Sequence, residues 1–192
     1  MRKFVFGFFL LFAGLPAQAA ETAWVQAVAG GYEARVVTEE AQCPVLQTDK
    51  GTVTMTVRAK ADANFPLVCA APVPVGAASL RILDTALPAP VARPQRIMVL
   101  GDTGCRIKGA ALQACNDPAR WPFPSLAVAA AKLKPDLVIH VGDYLYREGA
   151  CPAGNQGCAG SPWGDNWTTW QADFFSPAAP LFQEAPVVLA RG

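Results

Sequence analysis

Two short apolar runs in this chain end in the same dipeptide. Arg96-Ile-Met-Val-Leu100 runs into Gly101-Asp102, and Leu137-Val-Ile-His-Val141 runs into Gly142-Asp143. Between them, Pro124 to Leu133 predicts a helix: proline suits the first turn, Leu126, Ala129, Ala130 and Leu133 fall on one face, and Pro135 stops it. Strands without polar alternation, separated by a helix, predict a parallel sheet buried on both faces. A β-α-β crossover returns each strand in the same direction, so Asp102 and Asp143 should both leave carboxyl ends of parallel strands. That edge is where open α/β sheets bind ligands.

Neighbouring strands lie roughly 5 Å apart, and two carboxylates at that spacing repel unless something positive sits between them. A pair of metal ions ~3.5–4 Å apart fits the geometry. One strand-Gly-Asp is a weak signal, because aspartate is a common turn and cap residue. The same dipeptide at the same place in consecutive units favours metal ligation over two independent turn caps. Tyr146, three residues after Asp143, is either a hard oxygen ligand or a packing tyrosine. With a free pKa near ~10, it ionises readily only beside a strong Lewis acid such as ferric iron.

Other chemistry-bearing residues have plainer expected roles. His140 is the one histidine of the chain. Strand alternation sends it to the face opposite Asp143, as a satisfied core residue. Tyr144, on the other parity, is assigned to packing. Trp163, Trp167 and Trp170 are assigned to the core rather than to a sugar or base platform. A second helix is expected over residues 165–175, with Asp165 as its cap and Trp167, Trp170 and Phe174 on one face, then a third strand over 186–189. Asn155 and Asn166 lie in the loop and helix region after the second Gly-Asp, with no evident place at a metal.

Residues 1–19 predict a secretory signal peptide: Arg2 and Lys3, an apolar stretch from Phe4 to Leu15, and Ala17-Gln-Ala19 as the cleavage signal. The run is too short for the ~20 residues of a membrane span, and no later stretch is long and apolar enough. The expected location is secreted or periplasmic. Export makes disulfides the default for Cys43, Cys69, Cys105, Cys115, Cys151 and Cys158. Six cysteines allow about 15 pairings. Loop-closure entropy favours near neighbours, which predicts 43–69, 105–115 and 151–158. No Cys-x2-Cys pair supports a zinc site.

Leu87 to Pro94 holds three prolines and reads as a stiff connector. Before it, period-two alternation in Thr52 to Arg58 points Val53, Met55 and Val57 inward. Tyr32 to Thr38 and Leu80 to Leu83 are further strand candidates, and Asp49-Lys-Gly51 reads as a turn. The expected organisation is a signal peptide over 1–19, a small antiparallel β domain over 20–90, and an α/β domain over 91–192. With a formal net charge of +1, and no basic stripe, a nucleic-acid-binding surface is not expected.

Two partial motifs weigh less than the paired Gly-Asp turns. Gly104 to Gly109 has the Gly-x4-Gly of a phosphate loop, but Ala110 and Ala111 replace the required Lys and Ser/Thr. Asp102-Thr-Gly104 is also the triplet of aspartic proteases, which need two such aspartates in an all-β frame; no second triplet occurs.

Val99-Leu-Gly-Asp-Thr-Gly104 and Val141-Gly-Asp-Tyr-Leu-Tyr146 resemble the first two blocks of the calcineurin-like metallophosphoesterases. In detail they resemble the purple acid phosphatase branch, with Asp-x-Gly in the first block and Gly-Asp-x-x-Tyr in the second. The resemblance covers about residues 96–192 and implies an α/β sandwich whose first units lie here, behind an N-terminal β domain. It implies a dimetal phosphate-ester hydrolase acting on a small phosphorylated substrate, with a metal-held hydroxide attacking the phosphorus. Asp102 would bind Fe(III), Asp143 would bridge both metals, and Tyr146 would bind the iron as phenolate; the second ion would be Zn, Mn or Fe(II). The family's third block begins Gly-Asn-His, and the chain stops at Arg191-Gly192, so the catalytic histidine is expected beyond Gly192. The chain by itself is expected to hold its metals too weakly for turnover. Two alternative function classes remain: a secreted, disulfide-stapled protein that binds without catalysis and, less favoured, an aspartic protease built on Asp102-Thr103-Gly104, whose second triplet a homodimer could supply.

Overall fold

The computed structural model describes residues 22–190. The signal peptide expected over residues 1–19 lies outside the described residues, as do Arg191 and Gly192. Strands β1 (Thr22–Val28), β2 (Gly31–Thr38), β3 (Val45–Thr48), β4 (Gly51–Thr54), β5 (Thr56–Ala59), β6 (Leu67–Pro72), β7 (Leu80–Ile82) and β8 (Thr85–Leu87) come first. They are followed by β9 (Ile97–Leu100), the two-residue strands β10 (Ile107–Lys108) and β11 (Ala111–Leu112), α1 (Phe123–Lys132) and β12 (Leu137–His140). The chain then forms α2 (Trp167–Trp170), a π-helical turn (Gln171–Phe175), α3 (Ser176–Glu184) and β13 (Val187–Leu189). Among the described residues no helix is long and apolar enough to cross a membrane.

The central sheet has the order β5-β6-β2-β1-β13-β12-β9. Its β13, β12 and β9 side is parallel, as the unalternated runs predict, and its β1, β2, β6 and β5 side is antiparallel. The two halves join where Gln26 of β1 pairs in parallel with Val187 of β13. The division expected near residue 90 is therefore not a division of this sheet. What stays within the first segment is the second sheet, β4-β3-β7-β8, and the core beneath it, with Val25, Ala34, Val36, Leu46 and Ile82 fully buried. The opposite face of the central sheet carries the other core, where Trp24, Val138 and Val187 meet Phe174, Leu181 and Phe182 of the helical layer.

Three local expectations are corrected by this packing. Thr52 to Arg58 is not one strand: it breaks at Met55, which is buried, because β4 belongs to the small sheet and β5 to the edge of the large one. Val57 consequently faces solvent. Helix α1 buries Phe123, Ala127 and Ala130, whereas Leu126 and Leu133 are exposed; small alanines on the packed face let α1 approach α3 closely. The parallel strands are covered on one face, but Ile97 and Val99 on β9 remain 52% and 59% exposed.

The expected second helix is composite. Asn166, not Asp165, caps α2, accepting from the backbone N–H of Thr169; Asp165 instead accepts from the indole Nε1 of Trp170 at 2.8 Å. The π-helical turn has a local cause in Pro177. That proline offers no N–H to the carbonyl of Asp173 four residues back, and its ring crowds that carbonyl. The Ser176 N–H reaches back to the carbonyl of Gln171, one residue further than in an α-helix. A wider turn thus places Asp173 and Phe174 in the interior.

Candidate metal centre

Strands β9 and β12 pair in parallel with Leu100 opposite His140, so both Gly-Asp turns leave the sheet side by side. They are laced together: the Asp102 N–H donates to the Gly142 carbonyl at 3.0 Å and the Thr103 N–H to the Asp143 carbonyl at 3.1 Å. Gly101 permits this approach, because a Cβ there would lie 2.5 Å from Cγ2 of Val141. Asp102 and Asp143 each sit in the left-handed region with φ of 59°. Aspartate tolerates that region better than most residues, and such strained positions cluster at functional sites.

The turns bring three side-chain oxygens to one point. The Tyr146 hydroxyl shares its hydrogen between Oδ1 of Asp102 and Oδ2 of Asp143, the latter at 2.7 Å. Hydrogen bonding first to Asp102 and then to Asp143 pushes the phenol well above its ordinary range. The phenolic proton thus fills the role that the repulsion of two carboxylates requires of something positive. Asp102, Asp143 and Tyr146 are the three residues that the sequence singles out, and the structure brings all three together. Two carboxylates and a phenol form a hard, all-oxygen donor set that suits a hard cation, and binding one would release the phenolic proton. No cluster of three or more His, Cys, Asp and Glu stands ready to hold a metal among the described residues; the third oxygen at this point belongs to a tyrosine. Arg106 lies over the Tyr146 ring, with its guanidinium carbon 4.0 Å from the centroid.

His140 points away from this point, as alternation predicts. It is 2% exposed. Its Nδ1 accepts from the Gly142 N–H at 3.2 Å, which leaves Nε2 to donate to Oγ1 of Thr103 at 2.9 Å. Burial lowers its pKa to about 4, against a weaker upward pull from Asp143. Tyr144 stacks on His140 with ring centroids 4.3 Å apart and meets Phe174 edge-on, in the packing role expected of it. Trp167 packs against Phe175 at the core, while Trp163 lies outside the helix and is exposed. Asn155 turns its side chain to the Gly157 N–H and Asn166 caps α2, so neither belongs to the site.

A cavity of about 350 Å³ takes Asp102, Tyr146, Arg106, Trp121 and Phe123 into its lining. A second, of about 460 Å³, takes Asp143, Tyr144, Asp165 and Trp170. The loops that carry the three oxygens are stapled by Cys105–Cys115 and Cys151–Cys158, and Cys43–Cys69 closes the third expected pair.

Sequence reasoning missed Asp173 and Arg147. Asp173 is fully buried, and its Oδ1 accepts from Nε of Arg147 at 2.8 Å. Arg147 is buried too, with its guanidinium carbon 5.1 Å from the Trp121 ring. The available signal was an ionisable residue on the apolar face of an aromatic helix, directly before Phe174-Phe175.

Residues 95–192 match the family of calcineurin-like phosphoesterases. No curated protein matches the chain. Among solved structures, the purple acid phosphatase isolated from yellow lupin (Lupinus luteus) seeds is similar, with 12% identity and a TM-score of 0.49. The match covers 90% of this chain and 35% of that one, so the chain spans about a third of that protein's length.

Proposed function

This chain belongs to the calcineurin-like phosphoesterase family, and from that premise we propose that it serves a metal-dependent phosphate-ester hydrolase of the purple acid phosphatase kind. The observation that carries the reading is the meeting of Asp102, Asp143 and Tyr146 through one phenolic hydrogen at the ends of β9 and β12. Bound cations would supply Lewis acidity toward the phosphate oxygens and a nucleophile at neutral pH. Asp102 and Tyr146 would hold an Fe(III), because a phenolate is stable beside a strongly acidic cation. Asp143, on the neighbouring turn, would hold both that ion and a second one, Zn, Mn or Fe(II). The lacing of Asp102 to Gly142 and of Thr103 to Asp143 would keep the two turns from spreading as the proton gives way to a cation.

The aspartic-protease reading of Asp102-Thr103-Gly104 loses its ground, because the triplet follows a parallel strand in an α/β frame. Three disulfides suit an exported protein, and secretion or a periplasmic location belongs to the same proposal, with a small phosphorylated molecule as substrate. The test is metal analysis and turnover of a chromogenic phosphate ester by the protein expressed from its complete coding sequence, beside Asp143→Asn. Bound metal with turnover that the substitution abolishes supports the proposal. Turnover that survives both chelation and Asp143→Asn contradicts it, and bound metal without turnover favours a binding protein.

A further inference from the structure

We propose that Asp173 is a positioning residue of the metal centre, its buried carboxylate tying together the two loops that bring Asp102, Asp143 and Tyr146 to one point. The proposal rests on the metal-ligand role of those three residues.

The contacts are matched in a way that a general stabilising pair would not require. Oδ1 of Asp173 accepts from the backbone N–H of Cys105 at 2.8 Å, and Oδ2 accepts from the backbone N–H of Tyr146 at 2.8 Å. Cys105 stands three residues after Asp102, and Tyr146 stands three residues after Asp143. One carboxylate therefore grips the same position of both strand-turn units. On the second loop it grips the backbone of a proposed ligand itself. Gly104 is shaped around this grip: a Cβ there would lie 2.8 Å from the Tyr146 nitrogen and 2.9 Å from Oδ2 of Asp173.

The carboxylate is itself held from behind. Arg147 neutralises it through Nε, and Phe174 and Phe175 anchor the π-helical turn among Trp24, Phe123 and Phe182. A buried ion pair is by itself weak evidence for stability, since apolar packing often does as well. Two N–H groups from two separate loops cannot, however, be satisfied by an apolar residue. Metal sites depend on such outer partners to orient their ligands.

Asp173→Asn keeps the side-chain shape but turns one acceptor into a donor facing an N–H. The experiment titrates Fe(III), supplied as a weak chelate complex, into the wild-type and variant proteins well below their unfolding temperatures, and follows the phenolate-to-iron charge-transfer band in the visible. The expected result is a folded variant that binds Fe(III) about 10–100-fold more weakly and with a diminished band. A purely structural role would lower the unfolding temperature but leave the affinity and the band of the folded protein unchanged, and that result overturns the inference while leaving the metal site standing. Wild-type protein that binds no Fe(III) overturns both. If the variant does not fold, amide hydrogen exchange of the metal-free wild type decides. Joint protection of the Cys105 and Tyr146 amides supports the tie, and exchange as fast as their loop neighbours overturns it.

Discussion

Asp102 and Asp143 adopt the same left-handed backbone conformation, φ 59° in each, at the ends of adjacent parallel strands. The match is a consequence of repetition: the same strand-Gly-Asp turn is built twice, and each turn donates a backbone hydrogen bond to the other or accepts one from it. The strain has a stability cost that these turns retain in order to aim two carboxylates at one hydroxyl.

A first prediction concerns that strain. Asparagine tolerates the left-handed region as aspartate does, whereas a β-branched residue does not. Asp143→Asn should stay within about 1 kcal/mol of the wild type, while Asp143→Val should lose about 1–3 kcal/mol more. Urea unfolding of the metal-free proteins measures both, and equal stabilities for Asn and Val would show that the conformation is not held in solution.

His140 makes a second prediction, on pH. Its folded-state pKa, about 4, lies below the ordinary value near ~6.5, so the unfolded chain takes up the proton first. The stability contribution is whole above pH ~6.5 and is lost as pH falls through that value toward about 4. The loss amounts to about 3 kcal/mol by the end of the window. As the chain has one histidine, its imidazole resonances need no assignment. They should stay in the neutral position at pH 5.5, and a midpoint near 6.5 would mean that the ring is not buried as described.

Gly104 makes the third. A methyl group there would meet the Tyr146 nitrogen, Asp173 Oδ2 and the Tyr144 carbonyl at 2.8, 2.9 and 3.0 Å. Two of these are backbone atoms of a loop tied on both sides, so little can give. Gly104→Ala should destabilise by about 1–3 kcal/mol, whereas Gly109→Ala, with open space around it, should cost only the strain of its φ of 53°. Thermal unfolding of the two variants compares them; a neutral Gly104→Ala would remove the close approach of the two loops.

What was legible in the sequence was local and repeated. The Gly-Asp turns, the unalternated strands, the offset of Tyr146 and the near-neighbour cysteines each announce themselves within a few residues. What was not legible depended on distant parts of the chain meeting. Strand β1 carries Trp24, Val25 and Gln26, all buried on one side or the other; its parallel partner β13 lies at the far end of the chain, and no local pattern points to it. The exposed face of α1 went wrong because alanine, not leucine, is buried where helices pack closely. Asp173 was overlooked because its meaning lies in two backbone N–H groups from two other loops.

The central claim is that Asp102, Asp143 and Tyr146 form a metal centre, and the visible spectrum of the iron-loaded protein tests it most directly. A phenolate bound to ferric iron absorbs visible light by charge transfer. The account predicts a coloured wild-type protein and a Tyr146→Phe variant that folds but lacks the band. An unchanged band in Tyr146→Phe, or a wild-type protein that takes up iron without colour, would contradict it.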